Sequence, residues 1–212
     1  MVSTPSRGSH SSQGFRELLE ANFRKRSLVH LAAGSSVPLL RDQIWLVVRG
    51  MVKIGSLTIN GDELLLGLAG PNEPFGDALC GVEAQSATTL CDSDLLCLGR
   101  LEILEDPAMA AALLQAVIQQ HRQSQALLAL MGLRRVEERV RGFLELLASE
   151  YGKPCAQGLR LDLRITHHEM ASALATTRVT VTRVLGVLRE EGWLQLDPQR
   201  RLVISHLPRP RR

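Results

Sequence analysis

Between Thr176 and Arg183 the chain gathers hydroxyl and guanidinium side chains: Thr176, Thr177, Arg178, Thr180, Thr182 and Arg183, with Val179 among them. A guanidinium presents a fixed fork of donors that matches phosphate oxygens or the major-groove edge of guanine. Threonine hydroxyls bond phosphates. This set lacks the nucleophile–base pairing of an enzyme, and its chemistry suits the recognition of a polyanion.

The elements that must position these groups are legible around them. Val181, Val184, Leu185 and Leu188 recur at i, i+3, i+4 and i+7, one apolar face of a helix over 177–191. Arg178, Thr182 and Arg183 lie off that face near its start, and Gly192 suits the helix end. Upstream, Thr166 and Glu169 form a capping box that opens a first helix, with Met170, Ala171 and Leu174 inward. Small Ala171 lets the two helices approach closely. This is a helix-turn-helix, a device for pushing one helix end into the DNA major groove. The bland alternative is a helical hairpin with solvated charges. The placement of the cations at the end that must meet DNA argues against it.

Charge distribution agrees. The 212-residue chain has a formal net charge of +3. Residues 1–133 carry 10 Lys+Arg against 13 Asp+Glu, a net of −3, and residues 134–212 carry 15 against 9, a net of +6. Only the second part is expected to meet a polyanion. No apolar run is long enough to span a membrane, so a cytoplasmic protein is expected. Cys80, Cys91, Cys97 and Cys155 lack metal-ligand spacing, and reduced, structural thiols are expected rather than a metal or redox centre.

Four segments follow: a Ser- and Gly-rich disordered tail over 1–14, a roll over 15–105, a long helix and hinge over 106–132, and the helix-turn-helix domain over 133–212. Residues 15–26 read as a short amphipathic helix. From Leu28 to Leu98 short apolar runs (Leu28–Leu31, Ile44–Val48, Val52–Ile54, Glu63–Leu68, Leu95–Leu98) alternate with turns, Asn60-Gly61 being a hairpin signal. An antiparallel roll is expected. Asp106-Pro107 opens a helix to about Met131, roughly 35 Å long. Its apolar stripe, with Leu113, Val117, His121, Leu127, Leu128 and Met131, exceeds what a small roll covers, so a homodimer is expected. Arg134–Glu150 is a further helix, Gly152–Gly158 a loop and Leu159–Ile165 a strand. Trp193–Leu196 and Leu202–Ser205 flank a basic turn with Arg200 and Arg201 at its tip, a winged addition expected to touch DNA. The chain ends in a Pro-broken basic segment, 208–212.

This order resembles the family of the catabolite activator protein and the fumarate–nitrate regulator, and is most similar to the cyanobacterial global nitrogen regulators. The resemblance runs from about residue 24 to 206. It is carried by Tyr151–Gly158, Thr177–Gly186 and Leu188-Arg189-Glu190, and in the roll by Val48–Lys53 and Pro74-Phe75-Gly76. It implies an α+β protein with a cyclic-nucleotide-binding-like jelly roll, a long dimerisation helix and a winged helix-turn-helix. It further implies a homodimeric transcription activator that reads a palindrome and works with RNA polymerase. Arg178 and Arg183 match the family's base- and phosphate-contacting arginines. Thr166, His167 and the wing arginines complete the expected DNA-contacting set. Val179 stands where the catabolite activator protein has a cytosine-reading glutamate. It can offer only apolar contact, as to a thymine methyl. The nitrogen regulators share this valine and prefer GTA…TAC half-sites, so that class of site is expected.

The candidate effector pocket departs from the relatives. It comprises Phe75, Gly76, Asp77, Ala78, Leu79, Gln85, Ser86, Gln120 and Gln125. Gln85-Ser86 replaces the Arg-Ser pair that holds a cyclic nucleotide's phosphate. Gln120 and Gln125 replace the charged helix pair that holds 2-oxoglutarate. Anionic ligands without a cation would carry unpaired charge into the pocket. Cyclic AMP and 2-oxoglutarate are therefore disfavoured and no cofactor is expected. The alternative function is a ligand-sensing module that regulates a protein partner through its roll. An enzyme is disfavoured, since His121 sits in a helix stripe and His167-His168 lack ligands at metal spacing.

Overall fold

A computed structural model describes residues 27–205 apart from Thr58, Asn60, Asp62 and Arg164. The expected tail over 1–14, the helix over 15–26 and the basic end over 208–212 lie outside the described residues.

The chain divides into two compact units. In its described residues the first comprises 27–54 and 68–122, and the second 55–67 and 123–205. The division falls inside the long helix, between Arg122 and Gln123, rather than at its end.

The first unit is built on short strands. β1 (Val29–Leu31), β2 (Gln43–Arg49), β5 (Pro74–Phe75) and β7 (Ser93–Gly99) form a sheet in the order β1-β7-β2-β5. β3 (Val52–Leu57) and β4 (Glu63–Ala69), whose residues 55–67 are assigned to the second unit, form a second sheet with β6 (Gln85–Thr89) in the order β4-β3-β6. Asn60 lies outside the described residues, but the two strands flanking it are neighbours, as a hairpin requires. β5 and β6 were not expected. β5 is two residues long and β6 reads Gln-Ser-Ala-Thr-Thr, too short or too polar to alternate visibly. Gly50 turns β2 into β3 at φ +99°, where a Cβ would lie 2.7 Å from the Ser93 Cα. Only glycine fits that approach.

α1 (Arg100–Glu105), a helix not expected at the end of the roll, precedes the long α2 (Pro107–Met131), which starts and ends where it was expected. Pro107 explains the break, since proline disfavours the helical conformation in the residue before it. The roll's core joins Ile44, Leu46, Leu96 and Leu98 with Ile103 of α1 and Met109 of α2, and Ala112 and Leu113 pack against it. Leu113, expected in the dimer seam, is half-buried against the chain's own roll.

In the second unit α3 (Val136–Tyr151) buries Val140, Phe143, Leu144 and Leu147. β8 (Gly152–Cys155) and β9 (Gly158–Leu161) follow, then α4 (His167–Ala173), α5 (Arg178–Glu190), β10 (Leu194–Leu196) and β11 (Leu202–Ser205). The expected loop over 152–158 is in fact β8 and its turn into β9. Pro154 hid it, because proline reads as a breaker. β8 is the edge strand of the order β10-β11-β9-β8, where proline's missing N–H leaves no ladder bond unmade. The expected strand over 159–165 is correspondingly shorter and ends at Leu161.

Candidate nucleic-acid interface

The two short helices are capped by the residues that announced them. The Thr166 hydroxyl accepts from the Glu169 N–H, and the Glu169 carboxylate accepts from the Thr166 N–H at 2.7 Å. Thr177 caps α5, its hydroxyl accepting from the Thr180 N–H at 3.2 Å. Its Oγ1 also lies 2.9 Å from that of Thr180. The turn between the helices passes through Ala175 at φ +46°. Met170, Ala171 and Leu174 on α4, and Val181, Val184, Leu185 and Leu188 on α5, are all buried. That leaves the opposite face of α5 to solvent. Arg178, Val179, Thr182 and Arg183 are exposed together, and Val179 is 78% exposed. A valine so bare adds little to the core, so substitution there leaves the fold intact.

His167 and Thr182 tie the two helices together. His167 Nδ1 lies 2.8 Å from Thr182 Oγ1, and the Thr182 hydroxyl donates to the Arg178 carbonyl at 2.9 Å. The chain of donors closes when Nδ1 carries the imidazole proton. Burial first, then the charges of Arg189 and Arg178, hold the His167 pKa below its ordinary value. Thr176 is half-buried in the turn.

The second helix is also held at its far end. Arg141 of α3 pairs with Glu191, and its guanidinium stacks 4.7 Å from the Trp193 ring centre. These contacts were invisible in sequence, since the partners stand some fifty positions apart.

At the wing the expectation divides. Arg200 is exposed at φ +62° in the turn. Arg201 is engaged within the protein: its Nε lies 2.6 Å from Asp197 and its Nη1 3.2 Å from Asp162. Arg201 therefore shares its charge with two carboxylates, and Arg200 is the freer of the two.

The effector-pocket residues are partly brought together. Phe75 is buried, Asp77–Leu79 form a single 3-10 turn, and Asp77 is exposed. Gly76 takes φ +142°, with the Gln43 carbonyl 2.7 Å from where a Cβ would stand. Gln120 Nε2 donates to the Pro74 carbonyl at 2.9 Å, which places it beside that turn. Gln85 and Ser86 are half-buried on β6, and the Gln85 amide oxygen is buried without a hydrogen-bond partner. Gln125 is exposed on α2; five residues apart on a helix, it and Gln120 point about 140° apart. Arg49 does not serve this pocket, because its Nε is 2.6 Å from Asp94. The Arg49 guanidinium, and then His30, hold the Asp94 carboxyl below the usual carboxylate range.

Along α2, Val117, Leu127 and Met131 are half-buried, and His121 and Leu128 are exposed, Leu128 to 73%. Among the described residues no three His, Cys, Asp or Glu side chains converge as metal ligands. Nor is any helix there long and apolar enough to cross a membrane.

Comparison with known proteins decides the family. Residues 138–209 match the Crp-like helix-turn-helix domain. The regulatory protein CysR of Synechococcus elongatus is 32% identical over 74% of this chain and 73% of its own length. The chain belongs to the Crp/Fnr family of transcription regulators. The global nitrogen regulator of Nostoc sp. is 27% identical over 79% of this chain and 78% of its own. A Crp/Fnr-family transcriptional regulator from Thermus thermophilus superposes with a TM-score of 0.67 at 26% identity, covering 85% of this chain and 94% of that one. As a Crp/Fnr protein the chain is a DNA-binding transcription regulator.

Proposed function

We propose that this regulator acts as a homodimer in the cytoplasm and reads a palindromic GTA…TAC-like site through α5, acting with RNA polymerase as an activator. The observation that carries the reading is the exposed set Arg178, Val179, Thr182 and Arg183 on a helix whose other face is wholly buried. Arg178 is the side chain for a guanine edge, and Val179 for a thymine methyl. Leu114 and Leu128 on α2, 58% and 73% exposed in the single chain, support a second copy as the cover of that helix.

The effector is altered or absent relative to the relatives. Gln85 and Gln120 offer neutral amides where an anion needs a cation, and Arg49 is paired elsewhere. Both features disfavour cyclic AMP and 2-oxoglutarate.

The test is a binding-site selection followed by titration at fixed salt. The unaltered protein is expected to enrich a palindrome with TAC-type half-sites. Arg178→Ala is expected to retain only weak, salt-sensitive, sequence-independent binding. Selection that enriches no palindrome, or an Arg178→Ala variant with unchanged preference, rejects this reading.

A further inference from the structure

The winged sheet carries more positive charge than its own ion pairs require. Lys153 on β8 stands directly across from Arg160 on β9. Both reach the same carboxylate: Lys153 Nζ and Arg160 Nε each lie 2.8 Å from an oxygen of Asp162. Arg201, at the base of the wing turn, reaches it as well at 3.2 Å. One carboxylate thus gathers three cations. Hydrogen bonds from Arg160 and Lys153, and then their charges, hold its pKa down to about 2, so it stays ionised. Asp197, paired with Arg201, adds a second negative charge, and Arg200, exposed in the turn beside it, adds a fourth positive one. The cluster is left with four cations against two carboxylates.

A structural ion pair needs one cation for each carboxylate. The surplus repels itself unless a polyanion meets it. Lys153 is also poorly placed to stabilise the fold, since its side chain is 67% exposed and such pairs contribute little. The carboxylates do serve one end, which is to hold long, mobile side chains in fixed directions. A pre-oriented cation loses less freedom on meeting a phosphate.

We propose that Lys153, Arg160, Arg200 and Arg201 form one phosphate-binding patch that grips the DNA backbone beyond the bases read by α5. The patch extends the wing contact across the sheet to the β8–β9 hairpin. It rests on the DNA-binding reading above and adds a second, sequence-independent contact to it. Its ligand is the phosphodiester backbone of the duplex flanking the site.

The test uses the full chain and two duplexes carrying the selected site, one ending at the half-sites and one with about ten further base pairs on each side, a full helical turn. Affinity is measured across salt for the unaltered protein, Lys153→Gln and Arg160→Lys. Each phosphate contact adds about 0.9 to the log–log salt slope, so loss of Lys153 from both protomers lowers the slope by about 1.8 on the long duplex. Over a fourfold rise in salt, the variant's affinity should then fall about tenfold less than that of the unaltered protein. On the short duplex the two should coincide, and base preference should be unchanged. Arg160→Lys, which keeps the charge, should retain the full slope.

Equal slopes for Lys153→Gln and the unaltered protein on the long duplex would overturn the proposal while leaving base reading by α5 intact. So would a Lys153→Gln protein that binds DNA normally but no longer activates transcription with RNA polymerase; the patch would then be a protein contact. Absence of specific binding by the unaltered protein is a different result, and it removes the DNA-binding reading together with this proposal.

Discussion

His167 and Thr182, fifteen positions apart, meet at 2.8 Å and lock the first helix of the helix-turn-helix to the second. Because the Thr182 hydroxyl also donates to the Arg178 carbonyl, the bridge ends at the backbone of the residue expected to read guanine. The contact helps set where that arginine starts.

Thr182→Val keeps the shape and removes the hydroxyl. We expect a loss of about 1 kcal/mol in DNA affinity, roughly fivefold, with base preference unchanged. His167→Gln should cost a similar amount. The double variant should be little worse than either, because both remove one bridge. Titration of the two singles and the double checks this, and fully additive losses would reject the bridge.

The His167 pKa is depressed in the folded protein by burial and by Arg189 and Arg178. The unfolded chain therefore takes up a proton more readily as pH falls below the ordinary 6.5. Folding stability must fall as pH drops from there towards the folded-state value, and it gains nothing further at higher pH. The effect is small for a residue this near the surface. Melting curves across pH 7 to 5 should show a shallower decline for His167→Gln than for the unaltered protein.

Val179 is bare on the recognition face. Val179→Glu supplies a carboxylate that accepts from cytosine N4, worth about 1–3 kcal/mol of discrimination. Site selection should move from TAC-type half-sites towards the GTGA type. An unchanged preference would show that Val179 does not face the bases.

Leu128 is mostly exposed in the single chain, so Leu128→Asp should leave each chain folded. In a dimer it would bury an unpaired charge. Monomers are expected in analytical ultracentrifugation, with DNA binding weakened by more than about tenfold as the two half-sites lose their linkage. Val117→Asp should act in the same direction. An intact dimer for both variants rejects α2 as the seam.

Neutral amides at Gln85 and Gln120 predict that millimolar cyclic AMP or 2-oxoglutarate leaves DNA affinity unchanged. Calorimetry should show no saturable heat for either ligand. Micromolar binding of either one would return the protein to a conventional nucleotide or dicarboxylate sensor.

The recognition unit was written locally. Thr166 with Glu169 opens one helix, Thr177 caps the next, and Val181, Val184, Leu185 and Leu188 mark its inner face. Each signal lies within a few turns of backbone, where periodicity and capping chemistry act, so sequence alone determined the helix-turn-helix and its exposed face. The tertiary structure decided what depends on distant partners. It packed Leu113 against the roll, because the core it meets is assembled from strands far away in sequence. It made an edge strand of Gly152–Cys155, whose ladder is supplied by residues three to nine positions on. It bound Arg201 to Asp162 across thirty-nine positions, leaving Arg200 the freer cation of the wing. A charge read from sequence is a count; which carboxylate it meets is settled only when strands align and bring the two within hydrogen-bond reach.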